Sequence, residues 1–190
     1  MKNLLGALGA GVAVATATVA VALTSQADTC PPSTACPTTV IFTVTAGDGL
    51  QITVPGGSAD IGNGTPGSQI SGQLGSITVT DQRTALTASW TATVWGTDFT
   101  TGGGSGAETV PNSAVSYWSG PATAKTGTGT FVPGQPTASD AETLDGYYTA
   151  FSKISGSGDN SATWNPTIVV DVPTQAVTGT YTGTVSHSVA

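Results

Sequence analysis

The sequence predicts an all-β protein: an antiparallel β-sandwich of two sheets, with an irregular strand and loop insertion in the middle of the chain. Three observations lead there. Short segments alternate apolar with hydroxyl side chains, Gly, Pro, Asn and Asp punctuate them, and helical periodicity is nearly absent. The 190 residues include 26 Gly and 11 Pro, and without helices to make crossovers a parallel sheet is disfavoured.

The first segment is not part of that fold. Met1-Lys2-Asn3 is a short basic start, and an apolar, small-residue run from Leu4 to Leu23 follows it before the polar Thr24-Ser25-Gln26. This is the layout of a secretory signal peptide, and Ser25-Gln26-Ala27 places small residues where a signal peptidase reads them, so residues 1–27 are predicted to be removed. The run is long enough to cross a bilayer, but Gly, Ala and Thr dilute its centre, which favours removal over a permanent anchor. Ala27-Asp28-Thr29 before Cys30 does not suit lipid attachment.

Residues 28–37 read as a leader. Cys30 and Cys36 are the only cysteines, they flank Pro31-Pro32-Ser33-Thr34-Ala35, and export carries them to an oxidising compartment, so a disulfide between them is predicted. A loop this short would be stabilised by about 2–3 kcal/mol at most. The bridge would therefore stiffen the entry to the domain rather than hold its core. With no further cysteine at ligand spacing, a metal site there is not expected.

Residues 38–190 are expected to form a single domain, long enough to bury a real core. Val40-Ile41-Phe42-Thr43-Val44-Thr45 reads as a strand, Ala46-Gly47-Asp48-Gly49 as a turn, and Leu50-Gln51-Ile52-Thr53-Val54 as the returning arm of a hairpin. Ser76–Asp81 alternates next. Ala88–Val94 does so as well, placing Ala88, Trp90, Ala92 and Val94 on one face and hydroxyls on the other. Thr167–Val172 reads as another strand. Gly179–Val189 alternates again and is expected to point Tyr181, Val185, His187 and Val189 inward.

Between Thr101 and Asn160 the pattern loosens, with weaker strands around Ala114–Trp118, Gly129–Val132 and Tyr147–Ile154. This stretch holds Tyr117, Trp118, Phe131, Tyr147, Tyr148 and Phe151, so it must pack on something. A β-solenoid would need a repeat of fixed length, and although Thr-x-Thr recurs, its spacing is irregular, which suits the outward faces of strands instead.

Charge restricts the partners. Without Lys2, three basic residues (Arg83, Lys125 and Lys153) face eleven acidic ones, a formal charge of −8. Such a surface repels nucleic acid and anionic lipid, so neither nucleic acid nor, after signal removal, membrane is an expected partner. Thr, Ser and Gly supply the solubility instead.

No enzyme is read from the residues. The stretch Gly103-Gly104-Ser105-Gly106-Ala107 fails the nucleophile-elbow pattern. Asp171 and His187 suggest a triad by residue type alone. The acidic residues sit at turns or on polar runs, where carboxylates cap and face water, and no calcium loop of alternating oxygen ligands is present. No cofactor is implied. Carbohydrate binding is better supported, because exposed aromatic rings can cover sugar faces without charge; Tyr117, Trp118, Tyr147 and Tyr148 are the candidates.

Two segments carry a family resemblance. One is Ile77-Thr78-Val79-Thr80-Asp81-Gln82-Arg83 followed by Ser89-Trp90-Thr91-Ala92-Thr93-Val94 and Asp98-Phe99-Thr100. The other is Ala162-Thr163-Trp164-Asn165-Pro166 followed by Tyr181-Thr182-Gly183-Thr184-Val185-Ser186-His187-Ser188-Val189. Together they resemble the two halves of the WxL domain, found in surface proteins of Gram-positive bacteria that attach non-covalently to the cell wall. Trp90 matches the family's first Trp and Ala92 stands where the family has Leu. Tyr181, Val185 and Val189 fit the second motif, and His187 stands where the family has a second Trp. The resemblance is to a divergent, actinobacterial-type member. It implies a secreted, non-catalytic surface protein that binds peptidoglycan or another cell-wall polymer, with Trp90, Ala92, Tyr181, Val185 and His187 as motif residues. The alternative is a self-associating surface-layer protein whose partners are other surface proteins. Trp90 and His187 lie on apolar strand faces, where core packing is their simplest role. No sorting motif or hydrophobic tail follows the last strand, so contact alone is expected to hold the protein in place.

Overall fold

The computed structural model describes residues 31–33, 38–45 and 47–190. The proposed cleavage site and the Cys30–Cys36 disulfide lie outside the described residues. The chain divides into two units, Met1–Phe42 and Thr43–Ala190, and every described strand belongs to the second.

Fourteen strands are described: β1 (Leu50–Thr53), β2 (Gln69–Gln73), β3 (Ile77–Asp81), β4 (Trp90–Gly96), β5 (Phe99–Thr100), β6 (Thr109–Val110), β7 (Val115–Trp118), β8 (Ala122–Thr126), β9 (Phe131–Pro133), β10 (Glu142–Thr143), β11 (Tyr148–Lys153), β12 (Asn160–Trp164), β13 (Thr167–Asp171) and β14 (Val185–Val189). All pairing is antiparallel. Sheet A runs β1-β3-β12-β8, sheet B β10-β7-β13-β2 and sheet C β14-β4-β11-β9, with β5-β6 a separate ribbon. The fold is therefore all-β, with antiparallel sheets packed on one another as in a β-sandwich.

Alternation does the sorting. In β3 Ile77, Val79 and Asp81 are buried, in β4 Trp90, Ala92 and Val94, and in β12 Asn160, Ala162 and Trp164. A pleated strand sends alternate side chains to opposite faces, so one face of each strand enters the core and the other carries Thr and Ser. Asn165-Pro166 separates β12 from β13, and the chain passes there from sheet A to sheet B. Phe151 and Trp164, both fully buried, stack at 5.0 Å with 21° between their planes, a contact worth about 0.5–1.5 kcal/mol beyond area burial.

The predicted hairpin over residues 40–54 does not form. Leu50–Thr53 pairs instead with Thr78–Asp81, and the ladder runs on past Leu50: Gln82 N–H donates to Gly49 O at 2.8 Å and Gly47 N–H donates to Gln82 O at 3.1 Å. Asp48 N–H donates to the Gln82 side chain as well. Gly47, Asp48 and Gly49 are thereby tied to Gln82, with a bend at Asp48 and a φ of +87° at Gly49. Residues 38–45 belong to no strand. The predicted terminal strand is also shorter than its alternation suggests. Only Val185–Val189 is a strand, while Thr182 forms an isolated bridge to Thr100.

Candidate functional site

The two motif segments meet in sheet C, where β14 pairs with β4 and sets Val189 against Ala92, His187 against Val94 and Ser186 against Trp95. Because both strands alternate, this pair has two chemically different faces.

The inner face is structural. Trp90 is 3 % exposed, its ring lies 6.4 Å from Phe151 and 6.3 Å from Phe131, and its indole N–H donates to Asn160 Oδ1 at 2.8 Å. Asn160 Nδ2 in turn donates to Asp81 Oδ2 at 3.2 Å. Arg83 clamps the same carboxylate through Nε at 2.8 Å and a terminal nitrogen at 2.9 Å, and donates to Ser89 O at 2.6 Å. The hydrogen bonds from Arg83 hold the Asp81 carboxyl below the usual carboxylate range, against the opposing effect of burial. Nearby, the buried Lys153 donates to Ala88 O at 2.7 Å and lies 5.8 Å from the centre of the Phe131 ring; burial lowers its pKa. Ala92 is fully buried where a longer side chain would need room.

His187 is half-buried and reaches Tyr117, whose hydroxyl lies 3.2 Å from His187 Nε2 and accepts from Trp164 Nε1 at 3.2 Å. The hydroxyl has one hydrogen. Its oxygen has two lone pairs, so it can also accept from Nε2 or donate to it, and the direction of the Tyr117–His187 bond follows the tautomer of the ring. Burial pushes the His187 pKa down to about 4 and that of Tyr117 up. Asp171 is not near this arrangement: it is exposed and accepts from Gln69 Nε2 at 2.9 Å. The Asp171–His187 combination is thus not assembled. Among the described residues no group of three or more His, Cys, Asp or Glu side chains is placed to hold a metal ion.

The outer face is different. Trp95 follows the inward Val94 and so points outward, where its ring lies 5.3 Å from that of Tyr147. Tyr147 is 76 % exposed. The registers β14–β4–β11 place Ser188, Thr93 and Thr149 side by side, and Ser186 beside Trp95; Thr91 pairs with Ser152. This face combines half-buried Trp95 and exposed Tyr147 with hydroxyls, and its strand positions carry no charged side chain. Trp95 was not among the residues singled out from the sequence, although the parity of β4 already implies its direction.

The four aromatic candidates separate. Tyr117 is 1 % exposed and cannot stack on a ligand; its position in β7 turns it inward, whereas its neighbour Trp118 points outward. Trp118 is half-buried and lines a depression of about 310 Å³ on the outer side of sheet B. Tyr147 is open, and Tyr148 packs half-buried against the core. Tyr181 is half-buried, with its hydroxyl 3.0 Å from Val177 O and 3.1 Å from Ala107 O, where it fastens the segment leading to β14.

A second concavity lies below β14. It holds about 1010 Å³ and is lined by Val185 and His187, by Val54 and Pro55 after β1, by Ile70, Ile77 and Ile168, and by the polar Asp60 and Asn63.

No protein-family model matches this chain, and no curated protein matches it either.

Proposed function

We propose that this is an exported, non-catalytic surface protein that binds a cell-wall polymer, peptidoglycan or an associated glycan, through the outer face of sheet C. The observation that carries the reading is the contact of half-buried Trp95 with exposed Tyr147 on a charge-free field of hydroxyls. Sugar rings present apolar faces and hydroxyl edges. Aromatic rings cover the first, and Thr and Ser exchange hydrogen bonds with the second, so such a face holds a glycan without ion pairs. The layout of residues 1–27 supports export. The resemblance of the β4 and β14 segments to the WxL domain supports the wall as the destination.

The motif residues take on a different role in this reading from the one the resemblance implies. Trp90, Ala92 and His187 shape the strands from inside, and the outward neighbours Trp95, Ser186 and Ser188 meet the ligand.

The test is co-sedimentation of the chain from Asp28 onward with isolated Gram-positive cell walls. The Trp95→Ala, Tyr147→Ala double variant is expected to bind at least about tenfold more weakly, a loss of ~1.4 kcal/mol, with an unchanged circular dichroism spectrum. A parent protein that stays in the supernatant, or a folded double variant that pellets as well as the parent, would sink the proposal.

A further inference from the structure

Open strand edges invite pairing, and proteins normally blunt them with charge, proline, bulges or cover. Most edges here are blunted. β8 carries Lys125 and a register break, β9 ends in Pro133, and β10 has only two residues. At β2 the backbone of Ile61 crosses so closely that a Cβ on Gly72 would stand 2.8 Å from Ile61 Cα.

β14 carries no acidic or basic charge, proline or bulge. Ala190 and Thr91 exchange both backbone bonds, at 2.9 and 3.1 Å, and Thr97 N–H donates to Thr184 O. Antiparallel ladders alternate, so Ser186 and Ser188 also face β4, and the N–H and C=O groups of Val185, His187 and Val189 point away from it. Among the described residues no backbone group pairs with them. β1 approaches β14 to within 8 Å between Cα atoms without bonding to it. The cavity of about 1010 Å³ opens beside this edge, with Val185 and His187 in its wall. An open edge beside a cavity that exposes Ile70, Ile77 and Ile168 is the shape left by a missing strand.

The chain also carries a strand without a sheet. Residues 38–45, Thr-Thr-Val-Ile-Phe-Thr-Val-Thr, are uncharged and alternate like the strands of the fold, yet Val40, Ile41, Phe42 and Val44 are 80, 86, 82 and 74 % exposed.

We infer that residues 38–45 of a second copy add as a strand to the open edge of β14 and seat Val40, Phe42 and Val44 in the cavity beside it. Main-chain bonds supply the register and alternate side chains fill the groove, as in strand addition generally. Donor and acceptor are different surfaces of the same chain, so the contact is head-to-tail and extends from copy to copy unless it closes into a ring. The donor segment carries no charge, which matters for a chain that from Asp28 onward has a formal charge of −8 and otherwise repels its own copies. Linked copies would engage a wall polymer at several points at once. The inference does not depend on wall binding.

Sedimentation velocity of the chain from Asp28 onward, over a wide range of concentration, combined with amide hydrogen exchange, tests it. Assemblies larger than a monomer should grow with concentration, and exchange at Val185, His187 and Val189 should slow by about tenfold or more as they do. Phe42→Asp, at an exposed position that leaves the fold alone, should return the protein to a monomer with fast exchange at those amides. A monomer at every concentration overturns the inference. So does full protection of the three amides in dilute monomer, which would place another strand of the same copy on the edge. Assembly that Phe42→Asp leaves unchanged overturns it too.

Discussion

Trp90 in β4 donates its indole N–H to Asn160 in β12 at 2.8 Å, tying sheet C to sheet A through a hydrogen bond between buried side chains. Asn160 can do this because its amide nitrogen is occupied by Asp81 and by Gly158 O, both at 3.2 Å, which orients its oxygen toward the indole. Asn160→Ala should therefore cost about 1–3 kcal/mol, the usual penalty for stranding a buried donor. Trp90→Ala adds a cavity and should cost about 3–5 kcal/mol. Urea midpoints measure both. Wall binding lost by Trp90→Ala should disappear together with the folded-state spectrum, whereas Trp95→Ala should leave that spectrum intact.

The Asp81–Arg83 pair predicts acid sensitivity. The folded-state pKa of Asp81 lies below its unfolded value of 3.8 because Arg83 bonds to the carboxylate. A depressed carboxyl contributes stability that is complete above the unfolded pKa and is lost as pH falls through the folded one. The urea midpoint should thus hold from neutrality down to about pH 5 on this account and fall below about pH 4. In Asp81→Asn the stability should be lower at neutral pH, and the fall below pH 4 should be shallower than in the parent.

Much of this arrangement is legible in the sequence, because parity is a local property. Ser76–Asp81, Ala88–Val94 and Thr167–Val172 alternate visibly and contain strands in the structure. Trp90 lies inside as its alternation requires. Parity also separates Tyr117 from Trp118 and turns Trp95 outward, so those signals were present. What local pattern does not carry is the choice of partner. Residues 40–54 have the composition of a hairpin, but β1 pairs with β3, and Gln82 bonds to Gly47, Asp48 and Gly49 ahead of it. Asn160 likewise shows no sign of its role in the sequence, where it closes a Gly/Ser tract; only the fold brings it against Trp90 and Asp81.

His187 predicts a second pH dependence, in a different window. Its folded pKa is pushed down to about 4 by burial, against an unfolded value of 6.5. Between those values the unfolded chain binds a proton that the folded one does not, so stability is complete above about pH 6.5 and declines as pH falls toward 4, below which this contribution stays constant. The loss amounts to up to about 3 kcal/mol. His187→Gln should flatten the urea-midpoint profile between pH 6.5 and 4 while leaving the lower-pH fall set by Asp81. A variant with the parent's slope across that window would assign the slope to another group.

The charge-free character of the outer face predicts how binding responds to salt. Arg83 is engaged with Asp81 and Ser89, Lys153 with Ala88, and Lys125 lies 5.9 Å from the centre of the Phe131 ring in sheet C's edge strand. None of these cations belongs to the Trp95–Tyr147 face. Contacts made by stacking and hydroxyl hydrogen bonds are barely screened, while repulsion between an acidic chain and an anionic wall weakens as salt rises. Wall affinity should therefore stay level or rise between about 0.05 and 0.5 M NaCl. Titrations by co-sedimentation across that range measure this directly. A tenfold fall would mean that ion pairs hold the polymer, and would move the binding site away from the outer face of sheet C.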